Sequence, residues 1–280
     1  MKYIILLFAV SLATTASAQY TDTAMPARKK EEKPYRIKPL LDIPLTAATA
    51  AWTLYGFSVV YGRDSVTAAE INGLDRSKIN SFDRGTTRNR SLGAKKASDY
   101  FFYGSMPLPL ILLFDKKIRR DGPQVGLMYL EALSITGTIY TASAMSANRF
   151  RPYAYNPDEP LSSRTRGGTR NSFFAGHPAV VGTSFFFMAK VYSDYHPEMR
   201  NKWILYSVAG AATLTTGILR LKAGQHFPTD MLVGIVVGPA VGVLVPHFHK
   251  NKKFGQRLAL YPRFGQESNG FTALYKIGKQ

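Results

Sequence analysis

The chain has 280 residues and a formal net charge of +18 at pH 7, from 36 Lys and Arg against 18 Asp and Glu. An excess of this size selects an anionic partner: nucleic acid, anionic lipid or a phosphorylated substrate. There is no cysteine, which excludes disulfides and thiolate metal sites.

Met1 and Lys2 open onto the apolar run 3–12, and a small-residue stretch then ends in Ala16-Ser17-Ala18. A charged start, a short apolar run and an A-x-A site predict that residues 1–18 are a signal peptide and that the chain is exported. The run is too short to span a bilayer comfortably. Residues 19–39 mix charges around Arg28, Lys29, Lys30, Glu31 and Glu32, and read as a flexible linker.

Residues 40–250 alternate apolar stretches with basic connections. The stretches 45–61, 101–114, 124–145, 178–189, 203–219 and 231–245 are rich in Ala, Leu, Gly, Phe and Val. Pro123, Pro178 and Pro228 stand at or just before three of them, where proline suits a first helical turn. The predicted fold class is all-α, a bundle of about six helices. In the tail, 251–280, apolar runs 258–264 and 271–277 flank Ser268-Asn269-Gly270, which predicts a small C-terminal β-hairpin.

Whether the helices cross a membrane is decided by opposing signals. Several stretches are shorter than a span requires. Glu131 lies in the middle of the longest, which is costly in lipid unless it is paired. Against this, Lys116, Lys117, Arg119 and Arg120, then Lys190, Arg200 and Lys202, then Lys250, Lys252 and Lys253 fall on one side if the helices cross. The motifs below fall on the other. An exported Tyr20 then prevents 45–61 from crossing fully, so that helix lies on the surface or the bundle is soluble or peripheral.

Three short pieces between helices carry chemistry: Asn148-Arg149-Phe150-Arg151-Pro152-Tyr153, Ser172-Phe173-Phe174-Ala175-Gly176-His177-Pro178, and the run from Arg220 through Gly224, Gln225, His226 and Pro228 to Asp230. His226 stands at a helix entrance, four residues before Asp230. That spacing suits a nucleophile with an orienting carboxylate. It suits equally a capping aspartate beside a satisfied histidine. Gly176 lets the backbone approach an anion at a helix N-terminus, with His177 beside it as an acid. Arg149, Arg151 and Arg220 offer guanidinium forks for phosphate oxygens. His247 and His249 read as a polar helix end without a third metal ligand.

Together, Arg151-Pro152, then Gly176-His177, then Arg220 with His226 and Asp230 six and ten residues on resemble the signature of the type 2 phosphatidic acid phosphatase and vanadium haloperoxidase superfamily. The resemblance implies a helical bundle with a phosphate site at one end. It implies a phosphohistidine on His226 oriented by Asp230, protonation of the leaving oxygen by His177, and phosphate held by Arg151, Arg220 and the Gly176 N–H. Neither metal nor other cofactor is implied. Two positions depart from the pattern: Ala144 stands where the family carries lysine and Ala175 where it carries serine. Arg149, Arg170 and Lys222 are the candidate compensating bases.

The expected function is a metal-independent phosphatase acting on a phosphate monoester, with a lipid phosphate as substrate. The expected setting is the inner membrane facing the periplasm, or the periplasm itself, with a membrane but no nucleic acid as partner. A soluble periplasmic acid phosphatase of broad specificity, a vanadate-dependent haloperoxidase and a non-catalytic binder of phospholipid or lipid A phosphate are the alternatives.

Overall fold

A computed structural model describes residues 33–251, 258–264 and 269–275. The predicted signal peptide 1–18 and linker residues 19–32 lie outside the described residues. In chain order the α-helices are α1 (Pro39–Tyr61), α2 (Ala68–Asn72), α3 (Ser81–Arg84), α4 (Leu92–Ser105), α5 (Lys116–Arg119), α6 (Gly122–Ala147), α7 (Leu161–Arg164), α8 (Gly176–Tyr195), α9 (Lys202–Lys222) and α10 (Pro228–Phe248). Two strands, β1 (Leu258–Phe264) and β2 (Asn269–Tyr275), pair antiparallel. The described fold is thus built on helices, ten of them α, rather than about six. Six of the ten have 14 residues or more. The expected helix 101–114 is broken: α4 stops at Ser105, and Leu108–Phe114 continues as a tighter 3-10 segment. Pro107 and Pro109 remove two backbone donors there.

Local signals set the helix ends. Ser91 caps α4 by accepting from the Ala94 N–H at 3.2 Å, and Asp115 caps α5 through the N–H groups of Lys117 and Ile118. Asn148 ends α6 in the left-handed region, φ 43°, which turns the chain sharply into Arg149.

α8 is the central helix, in contact with α4, α6, α9 and α10. Glycines spaced by four let α10 lie directly on it. A Cβ on Gly238 would sit 2.1 Å from the Ala179 carbonyl oxygen, and one on Gly234 2.4 Å from that of Ala175. Small residues at such a seam exchange side-chain volume for backbone contact. α1 runs parallel to α6 along its whole length. Thr49 meets Ser134, Thr53 meets Thr138, and Gly56 packs on Thr141. A surface-lying first helix is therefore not what the chain forms.

The first helix is also anchored from its N-terminal side. Tyr35 is 1% exposed and donates to Asp194 at 2.8 Å. Lys33 pairs with Asp121, and the Arg36 N–H donates to the His249 carbonyl. Residues 33–38, expected to be linker, are docked on the bundle because their ions and tyrosine find partners at the starts and ends of α6, α8 and α10. His249, read as a polar helix end, is buried with its Nε2 3.3 Å from both Asp42 and Glu131. Glu131 thus has the partner that its mid-helix position demanded.

The outer faces are strongly apolar. Leu40 and Leu54 on α1, Phe114, Trp203 on α9, and Val236 and Phe248 on α10 are all more than half exposed. Of the described helices, α1, α9 and α10 are long and apolar enough to cross a membrane.

Candidate active site

Four segments converge at the end of the bundle where α6 and α9 finish and α8 and α10 begin. The loops after α6 and before α8 are pinned to each other: the Arg151 N–H donates to Thr169 O at 2.8 Å and the Ser172 N–H to Arg149 O at 3.0 Å. The turn between α9 and α10 needs Gly224, whose φ is +65° and whose absent Cβ would meet Asn89 O at 2.3 Å.

His226 sits in that turn, 1% exposed. Its Nδ1 is 2.7 Å from the Ser172 carbonyl oxygen. A carbonyl only accepts, so Nδ1 carries the proton and Nε2 keeps its lone pair. Burial, then the charges of Arg151, Arg220 and His177, hold its pKa well below the usual histidine value. The ring is therefore neutral and nucleophilic at pH 7.

Asp230 does not orient that ring directly. Its Oδ2 is 3.9 Å from His226 Nδ1. It accepts instead from the Phe227 N–H at 2.9 Å and from Ser172 Oγ at 2.6 Å. Asp230 is the third residue of α10, where a carboxylate is drawn to the free N–H groups of its own helix. Its influence on His226 passes through Ser172, whose hydroxyl it holds and whose carbonyl fixes the imidazole.

Arg151 and Arg220 come together as expected. Both are buried, at 9% and 3% exposure. They share one acceptor, Gln225 Oε1, at 3.0 Å and 3.4 Å respectively. Gln225 thereby marks where an oxygen between two guanidiniums sits. Gly176 opens α8 under the ring of Tyr140; a Cβ there would lie 2.9 Å from Cε2. Ala175 provides no side-chain cap for α8, and uncapped first-turn N–H groups of a helix suit an anion. His177 lies in the same turn and stacks on Phe102 with ring centroids 4.3 Å apart.

The candidate compensating bases are placed otherwise. Arg149 is committed to an ion-pair network: 2.7 Å to Asp83, a contact to Asp230, 2.8 Å to Thr229 Oγ1, and a cation–π contact over Phe227. Arg170 pairs with Glu70 and lies over Phe150. Lys222 is exposed. Ala144 is buried in an apolar cluster with Val60, Tyr140, Phe174 and Ala179. The guanidinium nearest to it belongs to Arg63, which donates to the Ala144 carbonyl at 2.9 Å.

Several site residues escaped the sequence. Asp83, fully buried, accepts from the Thr229 N–H at 3.0 Å and from its hydroxyl at 2.7 Å. Burial raises its pKa, yet its bonds from Asn80, Thr229 and Arg149 outweigh that and hold it below the usual carboxylate value. Asp99 on α4 lies 3.0 Å from His177 Nε2 and 3.2 Å from Arg220 Nη1. Neither stands in a motif, and no local spacing announces either.

Residues 125–254 match the PAP2 superfamily. No curated protein matches the chain significantly. Among solved structures, a transmembrane PAP2-type phosphatidylglycerolphosphate phosphatase from Bacillus subtilis is similar at 20% identity. The match covers 75% of this chain and 98% of that one, with a TM-score of 0.46.

Proposed function

We propose that this chain, whose residues 125–254 belong to the PAP2 superfamily, is a membrane-embedded phosphatase that hydrolyses a lipid phosphate monoester through a phosphohistidine on His226. The observation that carries the reading is the fixed tautomer of His226 beside two buried guanidiniums. Its Nδ1 proton is held by the Ser172 carbonyl at 2.7 Å, and its Nε2 lone pair has no partner among the described residues.

In the first step the Nε2 lone pair forms the N–P bond while the ester P–O bond breaks. The electron pair goes to the leaving oxygen, which takes a proton from His177. Arg151, Arg220 and the N–H groups at the start of α8 hold the non-bridging oxygens as their charge grows. In the second step a water attacks phosphorus and gives a proton back to His177. The N–P bond breaks, and free phosphate and neutral His226 are restored. Charge stabilisation comes from these donors, so the reaction is expected to survive chelation.

The apolar outer faces of α1, α9 and α10 favour the membrane reading over a soluble acid phosphatase. The basic connections favour one orientation. Lys117 pairs with Glu198, and Lys250 with Asp194, which puts the basic groups at the end opposite the site. The positive-inside rule then favours the outer face for the site. Residues 33–38 dock at that same basic end. An export signal in 1–18 and a crossing bundle with an outward site make opposite demands on residues 33–38, so the side on which residue 38 lies decides between them. Reporter fusions after residue 38 and after residue 160 test it. The first should report the cytoplasm and the second the outside; the reverse pattern would overturn the orientation.

Activity is tested by phosphate release from detergent-purified protein. The panel is phosphatidic acid, phosphatidylglycerol phosphate, a polyprenyl pyrophosphate and lipid A phosphate, each with and without EDTA. At least one should be turned over in EDTA, and His226→Ala should abolish that turnover. Quenching the parent in alkaline detergent should trap a phosphoenzyme that is stable to base and lost in acid. Full activity in His226→Ala, or loss on chelation reversed by a divalent ion, would overturn the mechanism. Binding of these lipids without turnover would point to the non-catalytic reading.

A further inference from the structure

A carboxylate beside a phosphate site is electrostatically unwelcome unless it serves another group there. Asp99 stands on α4, outside the segment that matches the family, and its Oδ1 faces two site residues at once. It lies 3.0 Å from His177 Nε2 and 3.2 Å from Arg220 Nη1. Ser98, its neighbour, accepts from the same Arg220 nitrogen at 3.3 Å. Phe102, one turn further along α4, stacks on the His177 ring at an interplanar angle of 26°. One helical turn of α4 thus grips the histidine by its edge and its face, and Arg220 by its tip.

The charges around His177 explain why an anion is needed. Burial first, then the charges of Arg220 and Arg151, lower the His177 pKa to about 4, and the bond and charge of Asp99 oppose that fall. Among the described residues Asp99 is the carboxylate that faces it. The His177 bond in turn, with Arg220 and Lys95 nearby, holds the Asp99 carboxyl below its usual value, so Asp99 is ionised at neutral pH.

We infer that Asp99 is a positioning residue for proton donation: it accepts from His177 Nε2, leaves Nδ1 to the departing oxygen, and places a negative charge beside the ring as the proton passes. The inference rests on the phosphatase reading above. In the first step the proton passes from His177 to the leaving oxygen as the P–O bond breaks, and the imidazolium becomes neutral beside Asp99. In the second, the proton taken from water restores the pair. Asp99 itself keeps its charge throughout.

The test compares leaving groups. Purified Asp99→Asn is assayed with dioctanoyl phosphatidic acid, whose alkoxide must be protonated, and with p-nitrophenyl phosphate, whose phenolate leaves without a proton. General acid catalysis contributes about a hundred- to ten-thousandfold. Losing its positioning should lower kcat for phosphatidic acid by roughly ten- to a hundredfold, with a smaller loss for the nitrophenyl ester, which still feels the loosened Arg220. The basic limb of the kcat–pH profile on phosphatidic acid should move to lower pH, because the imidazolium loses its counter-charge. Asp99→Glu keeps the charge and should keep the limb. Equal losses on both substrates, an unmoved basic limb, or an unchanged kcat would overturn the inference, and an equal loss with weaker inhibition by inorganic phosphate would reassign Asp99 to Arg220 alone. If the parent does not turn over the nitrophenyl ester, the basic limb decides. A parent that releases no phosphate from any substrate sinks the phosphatase reading itself; an active parent with an indifferent Asp99→Asn sinks this inference alone.

Discussion

Arg149 was a candidate phosphate ligand by sequence, and its surroundings make it a structural cation instead, so Arg149→Ala should cost stability rather than phosphate affinity. Its guanidinium joins Asp83 and Asp230, both 0% exposed, while the arginine itself keeps 27% of its side-chain surface. Removing one partner of a buried ion pair costs about 3–5 kcal/mol, because the remaining charge is left uncompensated. The partial exposure of Arg149 lets water replace some of the lost interaction, which favours the low end, about 3 kcal/mol. The cation–π contact, 4.3 Å from the Phe227 centroid, adds about 0.5–1 kcal/mol. For a chain of this size the two together correspond to a fall in apparent Tm of roughly 7 to 16 °C. Thermal unfolding in detergent measures it, alongside KM and inhibition by phosphate at a temperature where both proteins are folded. A double-mutant cycle with Asp83→Asn should show coupling above about 0.5 kcal/mol. The reasoning is refuted if Arg149→Ala melts with the parent while its KM rises more than tenfold.

Ala144→Lys should lower Tm and give no gain in kcat/KM, since the new ammonium starts inside the cluster of Val60, Tyr140, Phe174 and Ala179; overpacking alone costs about 1–3 kcal/mol, and a rise in kcat/KM would contradict the placement. Gly238→Ala should cost about 1–3 kcal/mol by forcing α10 away from Ala179, read as a lower melting temperature. The kcat/KM profile should show no loss near pH 6.5 from His226. Its lowered pKa keeps it nucleophilic through mildly acid pH, so the acid limb falls below pH 6. The same shift has a sign for stability. The unfolded imidazole binds a proton near pH 6.5 and the folded one does not, so His226 lowers stability as pH falls below that value. His226→Phe should accordingly melt with a shallower pH dependence than the parent between pH 7 and 5.

What was legible in the sequence is what local rules carry. Pro228 opens α10, Gly176 opens α8, and the residues that follow them, with Arg151 and Arg220, arrive at one end of the bundle. The reading failed where a partner is distant along the chain. Arg149 looked free because its own loop has no acid before Asp158. Its acids come from 66 residues upstream and 81 downstream. Asp99 reaches His177 across 78 residues, from the first turns of α4, which precede the predicted stretch 101–114. Asp230 failed differently. The four-residue spacing does bring it near His226, yet at the third position of a helix its carboxylate bonds the backbone of that helix more closely than the imidazole. The linker ended early because Tyr35 and Lys33 have partners on helix ends 159 and 88 residues away, which a charge-mixed composition does not disclose.

The two departures, Ala144 and Ala175, take on a different meaning once the charges of the site are set side by side. Arg151 and Arg220 face one carboxylate, Asp99, while burial lowers the His177 pKa to about 4 and leaves the resting ring neutral. Two positive charges against one negative leave one, which is the charge of a phosphate monoester monoanion. A lysine reaching the same space from position 144 would leave two, and an uncompensated buried cation is costly. The site therefore does not lack a cation for a monoanion. Arg149 and Arg170 are already neutralised by Asp83, Asp230 and Glu70, so they have no charge to lend. On this account the monoanion is the better charge match, and it brings the proton that the neutral His177 lacks, so phosphate inhibition should weaken as pH rises through the second phosphate pKa, near 6. An inhibition constant that is flat from pH 5 to 8, or that strengthens with pH, would contradict the charge match.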